Sequence, residues 1–281
     1  MTSVCHCEPS QKARQSVSPK KRNGGDGVLS NFAATFYNDR KEVKSFMNSG
    51  IFALWRWEAL WASRGEFIDA FFVTVEVSVF ALILALFLGV VFGLFSSGNN
   101  KILKGIARVY VEFFQNTPLV LQVLFMYYGL LYAGIGLSKE QIGVIGLGVY
   151  TGAYISEVVR TGITSISHGQ TEAALSQGFT HFQAMRYIIL PQSVKIALPP
   201  LANQMVALIK NTSVLAMIAG GDLMYRSNAW ASNGTLSYGP AYLVCGILFF
   251  CLCFPLTYFA KRYEQKLKNQ TNTSEKEAAA E

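Results

Sequence analysis

The sequence predicts an all-α integral membrane protein with about five transmembrane helices, and three observations support that prediction. Of its 281 residues, 51% are hydrophobic and only 15% are charged. Its mean hydropathy is +0.30. Apolar runs close to the roughly 20 residues that a helix needs to cross a bilayer recur along the chain. Charges this scarce and apolar runs this long exclude an ordinary soluble domain.

The apolar runs lie between two polar ends. Residues 1–50 form a polar N-terminal extension that lacks the apolar core of a signal peptide and is expected to be disordered. Residues 51–67 mix three tryptophans with Arg and Glu, which favours a helix at the headgroup interface or, equally, a peripheral helix packed on the protein itself. Residues 265–281 form a polar C-terminal tail.

Between these ends, residues 68–264 are predicted to form the transmembrane domain. Pro118 interrupts the second predicted span and Pro199-Pro200 the fourth, so both spans are expected to kink or to begin late. Such breaks occur where freed backbone groups face protein or a polar cavity, as in transport pathways. The five predicted spans cover residues 68–95, 106–133, 142–159, 191–219 and 238–260.

The basic residues predict an orientation. Lys and Arg cluster after the first, third and fifth spans, which places those loops and the C-terminus in the cytoplasm and the N-terminus outside. Ten basic residues before Ile68 oppose this placement, but so long a segment translocates largely regardless of its charge. The net charge of +7 therefore belongs to membrane flanks and lipid contacts, and no nucleic-acid partner is expected.

The loop between the third and fourth spans has local helix signals. Ser167 with Gln170, and Thr180 with Gln183, each fit the capping box that starts a helix. Gly178 lies between them, where a helix end favours glycine. Two short helices are therefore predicted. A DNA-binding helix-turn-helix also has two short helices, but its second helix needs more than one basic residue to contact phosphates, so DNA binding is disfavoured. A loop that only connects two spans is disfavoured because it would need no helix caps. The predicted contact surface comprises Ala173, Ala174, Phe179, Phe182 and Met185.

The spacing Glu172-Ala173-Ala174, Gly178, Ile188 and Leu190-Pro191 resembles the EAA loop of permease subunits of bacterial binding-protein-dependent ABC importers. The strings at 111–119 and 208–213 resemble the polar amino acid branch of that family, and the likeness extends from about residue 67 to 264.

The resemblance implies that Glu172, Ala173, Ala174 and Gly178 dock on a cytoplasmic ABC ATPase subunit, and that Leu190 and Pro191 end the unit at the membrane. It also implies a second permease subunit, in a homodimer or a heterodimer, an extracytoplasmic solute-binding protein and a polar amino acid as the substrate. The cell membrane of a bacterium is the expected location.

No nucleotide site, cofactor or metal is expected in the chain itself. Gly93 and Gly98 have the spacing of a phosphate-binding loop, but Asn99-Asn100 follow where Lys and Ser or Thr are needed. ATP is therefore expected to be bound by the partner subunit, and this chain is not expected to be an enzyme. Cys5-His6-Cys7 lacks the two further ligands of a zinc site.

Polar residues within the predicted spans are candidates for the translocation pathway, because a charge at the bilayer centre costs about 2.5–3.5 kcal/mol. Glu157 is expected chiefly to pair with Arg160, and residues 210–213 suit a helix end equally well. Gly148 and Gly152 are expected to serve helix packing. A secondary transporter or channel without an ATPase remains the alternative. The candidates are Glu112, Asn116, Thr117, Glu157, Lys210, Asn211, Thr212 and Ser213.

Overall fold

The computed structural model describes residues 53–235 and 238–278, with side chains up to Lys266 except those of residues 234 and 235. The predictions for residues 1–50, including Cys5-His6-Cys7, lie outside these ranges. Within them the chain is helical apart from short turns and contains no strand. The α-helices are α1 Leu54–Ala62, α2 Arg64–Ser97, α3 Lys101–Asn116, α4 Leu119–Tyr132, α5 Lys139–Thr164, α6 His168–Ser176, α7 His181–Ala184, α8 Leu190–Asn211, α9 Leu223–Trp230 and α10 Tyr238–Ala278.

Among the described residues, four helical stretches are long and apolar enough to cross a membrane. They are Arg64–Ser97, Lys139–Thr164, His181–Ile218 and Tyr238–Lys266. Leu119–Tyr132 is a shorter apolar helix. The all-α membrane fold is thus confirmed. The second predicted span, residues 106–133, is not one helix, since it is divided between α3 and α4.

The division falls at Pro118, as the sequence predicted. Thr117 and Pro118 are extended, with φ/ψ of −108/136° and −61/130°, and α4 starts at the next residue. Proline has no N–H to continue the helix and disfavours a helical residue before it. The Nε2 of Gln122 donates to the carbonyls of Phe114 and Thr117, both at 3.1 Å, so two of the freed acceptors are satisfied within the protein.

The fourth span begins earlier than predicted, and the kink at Pro199-Pro200 stays a prediction. The prolines Pro199 and Pro200 lie inside an unbroken α8, and the helical stretch starts at His181 rather than late, at residue 191. Each proline removes one helical hydrogen bond, which costs free energy locally. Packing of α8 against α2, α5 and α10 holds the helix in spite of that cost.

The core lies where α2 and α5 approach closely. A Cβ added at Gly148 would lie 2.7 Å from the Cδ2 of Leu84, and one added at Gly152 would lie 3.1 Å from the Cβ of Leu88. These distances leave no room for a side chain, so the predicted packing role of the two glycines is confirmed. The surrounding core includes Val77, Ala81, Ala85, Val123, Leu147, Ile155, Leu208 and Leu215.

Candidate functional site

The loop between α5 and α8 folds into two helices around Gly178. This glycine has a φ of +88°, the left-handed conformation that favours glycine. The N–H of Gly178 donates to the carbonyl of Leu175 at 3.0 Å, and the N–H of Phe179 donates to that of Ala174 at 3.1 Å. These bonds close the end of α6, as the predicted position of Gly178 required. We call residues 168–184 the elbow.

One of the two predicted capping boxes is present. The N–H of Thr180 donates to Gln183 Oε1 at 2.8 Å, and the N–H of Gln183 donates to Thr180 Oγ1 at 3.3 Å. The box predicted at Ser167 and Gln170 is wrong. There the N–H of Gln170 donates to the backbone carbonyl of Ser167 at 3.1 Å, and the Ser167 hydroxyl makes no capping bond. The carbonyl of Ser167 thus accepts the N–H of Gln170, which the hydroxyl of Ser167 would accept in a capping box.

The second helix of the elbow is not a separate short helix, contrary to the prediction. The four residues of α7 lead into a π-helical turn at Met185–Ile189 and then directly into α8. The N–H of Leu190 donates to the carbonyl of Met185, five residues back, as a π-turn requires. Pro191, in the first turn of α8, has no N–H to give. Leu190 and Pro191 therefore continue the helix, and their place at the membrane boundary stays a prediction.

The elbow exposes much of its surface. Glu172, Ala173 and Gly178 are exposed, and the side chain of Phe182 is 72% exposed. Ala174 is only 2% exposed, so it is unavailable as a direct contact, and the predicted contact surface is corrected at that residue. The reason is that the chain folds over Ala174, with the N–H groups of Gln177 and Phe179 donating to its carbonyl. The other residues of the string lie at the start of the fourth span, where Ile188 and Leu190 are half-buried and Pro191 is exposed.

The candidate pathway residues of the second span cluster at the end of α3. The Nε of Arg108 lies 2.7 Å from Glu112 Oε1 in an exposed ion pair. Asn116 Nδ2 donates to the carbonyl of Glu112 at 2.7 Å, and the Thr117 hydroxyl donates to the carbonyl of Phe113. Asn116 and Thr117 thus satisfy carbonyls at the helix end. Thr117 also borders an apolar groove of about 700 Å³ beside α4.

The candidates at residues 210–213 mark a change of helix type. The α-helix ends at Asn211, and a 3₁₀ helix runs from Thr212 to Ile218. Thr212 is buried and its hydroxyl donates to the carbonyl of Ile209 at 2.7 Å. The Ser213 hydroxyl donates to the carbonyl of Lys210 at 2.8 Å. Residues 210–213 were candidates either for the translocation pathway or for a helix end. For Thr212 and Ser213, these hydrogen bonds favour the helix end.

Glu157 pairs with Arg160, as expected. The Nε of Arg160 donates to Glu157 Oε2 at 3.0 Å, and the Nη2 of Arg160 donates to Glu157 Oε1. The bidentate geometry fixes both side chains on one turn of α5. An ion pair within a membrane span needs water or protein around it, so the space beside Glu157 is of interest.

That space is a cavity of about 320 Å³ between α3, α5 and α8. Of the eight residues predicted to line the translocation pathway, Glu157 is the one found among the described residues that line this cavity. Helical spacing alone could have found Tyr154 and Thr161, which share a face of α5 with Glu157. Nothing in the sequence pointed to residues from other helices. The further polar residues of the lining are Gln115, Tyr154, Thr161 and Gln204.

Comparison with known proteins assigns this architecture. Residues 85–269 match the family of the binding-protein-dependent transport system inner membrane component. The chain belongs to this family. It is 41% identical over 202 residues to the probable glutamine ABC transporter permease protein GlnM of Bacillus subtilis, covering 72% of this chain and 93% of that one. It is 32% identical over 198 residues to the arginine transport system permease protein ArtQ of the same organism, covering 70% and 90%.

Solved structures share the fold. An amino acid ABC transporter crystallised with histidines matches with a TM-score of 0.69 at 29% identity, covering 74% of this chain and 96% of that one. The inward-facing MetNI methionine ABC transporter matches with a TM-score of 0.55 at 16% identity, covering 73% and 97%, a likeness of fold alone. The family suggested by the loop string is therefore confirmed. This chain is a membrane-embedded permease of the amino acid ABC transporter family.

Proposed function

We propose that this permease imports a polar amino acid across the bacterial cell membrane, with ATP hydrolysis supplied by a separate cytoplasmic ATPase subunit. The elbow docks on that ATPase through Glu172, Ala173, Gly178 and Phe182. A second permease subunit completes the membrane path, and an extracytoplasmic solute-binding protein delivers the amino acid. The chain itself then needs no nucleotide site, in keeping with Asn99-Asn100 after Gly98.

The continuity of the elbow with the fourth span supports this coupling most strongly. One helical stretch runs from His181 to Ile218, so a displacement of the exposed elbow moves the whole span. Ala174, buried at the turn, acts in this scheme by fixing the angle between α6 and α7 rather than by touching the ATPase. Ile188, Leu190 and Pro191 carry the motion into the membrane.

The distribution of basic residues supports a cytoplasmic elbow. Arg160, Arg186 and Lys195 lie on or beside the loop, and Lys261 and Arg262 lie near the end of the fifth span. The positive-inside tendency then places the elbow and the C-terminus in the cytoplasm and the N-terminus outside. Family membership favours this ATP-driven mode over a secondary transporter or channel.

The cavity beside Glu157 suits a polar substrate. Its amide and hydroxyl groups can donate and accept hydrogen bonds, as a glutamine-like or cationic side chain requires. Glutamine and arginine occur in the names of the relatives GlnM and ArtQ. We therefore place part of the translocation pathway along α3, α5 and α8. Glu157 contributes there through its pair with Arg160.

Gly178→Val tests the coupling role. Open space surrounds Gly178, so a side chain fits sterically, but the φ of +88° is strained for a β-branched residue by about 1–3 kcal/mol. We expect the elbow to reorient and uptake by the assembled transporter to fall about tenfold or more, since 1.4 kcal/mol corresponds to a factor of ten. Binding-protein-stimulated ATP hydrolysis should fall with it.

Gly169→Ala is the matched control. Gly169 lies in α6, and an added Cβ would meet nothing within 4 Å, so uptake and hydrolysis should match the unaltered transporter. The docking role fails if Gly178→Val leaves both activities at the control level.

A further inference from the structure

The helix α1 lies directly before the first membrane span. It ends at Ala62, and Ser63 alone separates it from Arg64, the first residue of α2. The charged residues Arg64, Glu66 and Asp69 then mark the polar start of that span, because charges are costly deeper in hydrocarbon. The C-terminal end of α1 is therefore held at the membrane boundary.

One side of α1 is fixed to the protein. Leu60 is 7% exposed and belongs to a cluster with Phe67, Trp230 and Ala241. The indole Nε1 of Trp230 donates to the hydroxyl of Ser63 at 3.1 Å, and the rings of Phe67 and Trp230 meet edge to face with centroids 6.2 Å apart. These contacts tie α1 to α2, α9 and α10, so the helix has a defined orientation.

The opposite side of α1 is apolar, aromatic and exposed. Leu54 is 69% exposed, Trp61 is 70% exposed and Trp55 is 45% exposed. Glu58 lies among them on the same face and is also exposed. An ionised carboxylate is acceptable at headgroup depth but not in hydrocarbon, whereas tryptophan and leucine are disfavoured in open water. This mixture fits the boundary between headgroups and acyl chains.

Two arginines complete the pattern. The guanidinium of Arg56 lies 5.1 Å from the centre of the Trp55 ring, and that of Arg64 lies 5.5 Å from the centre of the Trp61 ring. Tryptophan rings beside cationic heads are common where a protein meets phospholipid headgroups. Positive charge there also complements lipid phosphates.

We propose that α1 lies in the headgroup layer of the bilayer and that the face formed by Leu54, Trp55 and Trp61 contacts phospholipid. The covalent continuity with α2 and the mixed composition of the face select lipid over a protein partner. The assignment of this layer to the outer leaflet rests on the proposed function, because α1 and the elbow lie at opposite ends of the first and third spans. The lipid contact itself does not depend on it.

Quenching of tryptophan fluorescence by brominated phosphatidylcholine tests the proposal in the full chain reconstituted in vesicles. The chain has four tryptophans, and all four lie in α1 or against it. We expect lipids brominated near the headgroup to quench more strongly than lipids brominated near the chain end. In a Trp55→Phe, Trp61→Phe variant, the fraction quenched by these lipids should fall at least twofold.

Trp230→Phe is the control, because this side chain is only 8% exposed. Its removal should leave the lipid-quenched signal in place. Strong quenching by aqueous acrylamide with no quenching by brominated lipid would overturn the proposal, since the face would then lie in water. The face would instead belong to the solute-binding protein if two results were found together. Brominated lipid would not quench the unaltered chain, and the double variant would no longer bind the solute-binding protein. Neither result bears on the elbow, since no transport is measured.

Discussion

At the scale of single residues, Asp222 is the carboxylate most affected by its surroundings. It lies between the fourth and fifth spans, its side chain is buried, and its Oδ2 accepts the N–H of Met224 at 2.9 Å to cap α9. Within the described part of the chain, Oδ1 has no hydrogen-bond partner. The nearby Arg226 is already paired with Glu66 at 3.0 Å. Burial therefore raises the pKa of Asp222 to about 6.

This shift predicts a pH-dependent stability. Since the folded pKa lies above the ordinary value of 3.8, the folded state binds the proton more tightly than the unfolded state. The stability that the protonated Asp222 contributes to the folded state is fully present below pH 3.8. It is lost as the pH rises through about 6. A pKa shift of this size corresponds to a change of about 3 kcal/mol in the free energy of unfolding.

Asp222→Asn tests the prediction. Asparagine keeps a capping oxygen but carries no charge, so the thermal unfolding midpoint should change less between acid and neutral pH than in the unaltered protein. The control is Asp69→Asn, because Asp69 is exposed. An unchanged pH dependence in Asp222→Asn would show that this carboxylate is not responsible.

At the scale of helices, the contact between α2 and α5 depends on missing side chains. A Cβ added at Gly93 would lie 2.6 Å from the Cβ of Val159 and 3.0 Å from the carbonyl oxygen of Ser156. Neither atom is the end of a flexible chain, so the two helices would have to separate. Overpacking of this kind costs about 1–3 kcal/mol.

Gly93→Ala should therefore lower the unfolding midpoint in detergent, and Gly105→Ala should not. Gly105 lies in α3, where an added Cβ meets nothing within 4 Å and alanine favours the helix. Equal midpoints for the two variants would refute the close contact.

The helices also show what the sequence could and could not predict. The break at Pro118, the turn at Gly178 and the box at Thr180 follow from rules acting within a few residues, and all three are present. The unbroken helix through Pro199-Pro200 depends on packing from distant helices, which no local rule includes. The cavity beside Glu157 was predictable along α5, where spacing is helical, but not across α3 and α8.

At the scale of the whole molecule, the elbow and the cavity share one mechanical element. The helical stretch His181–Ile218 carries Phe182 near its start and, further on, the cavity-lining residues Ile196, Ala197 and Pro200. A shift of the elbow along or about this helix would therefore move one wall of the cavity. Under the proposed function, this movement would link closure of the ATPase to opening of the path.

Cysteine cross-linking tests that central claim most directly. In a chain whose five native cysteines are replaced, Phe182→Cys should cross-link to the ATPase subunit of the assembled transporter, with a yield that changes when nucleotide is bound. Tyr132→Cys is the control, since Tyr132 is 92% exposed but lies at the opposite end of the spans, and it should not cross-link. The account is contradicted if a complex active in uptake gives no cross-link to the ATPase from position 182.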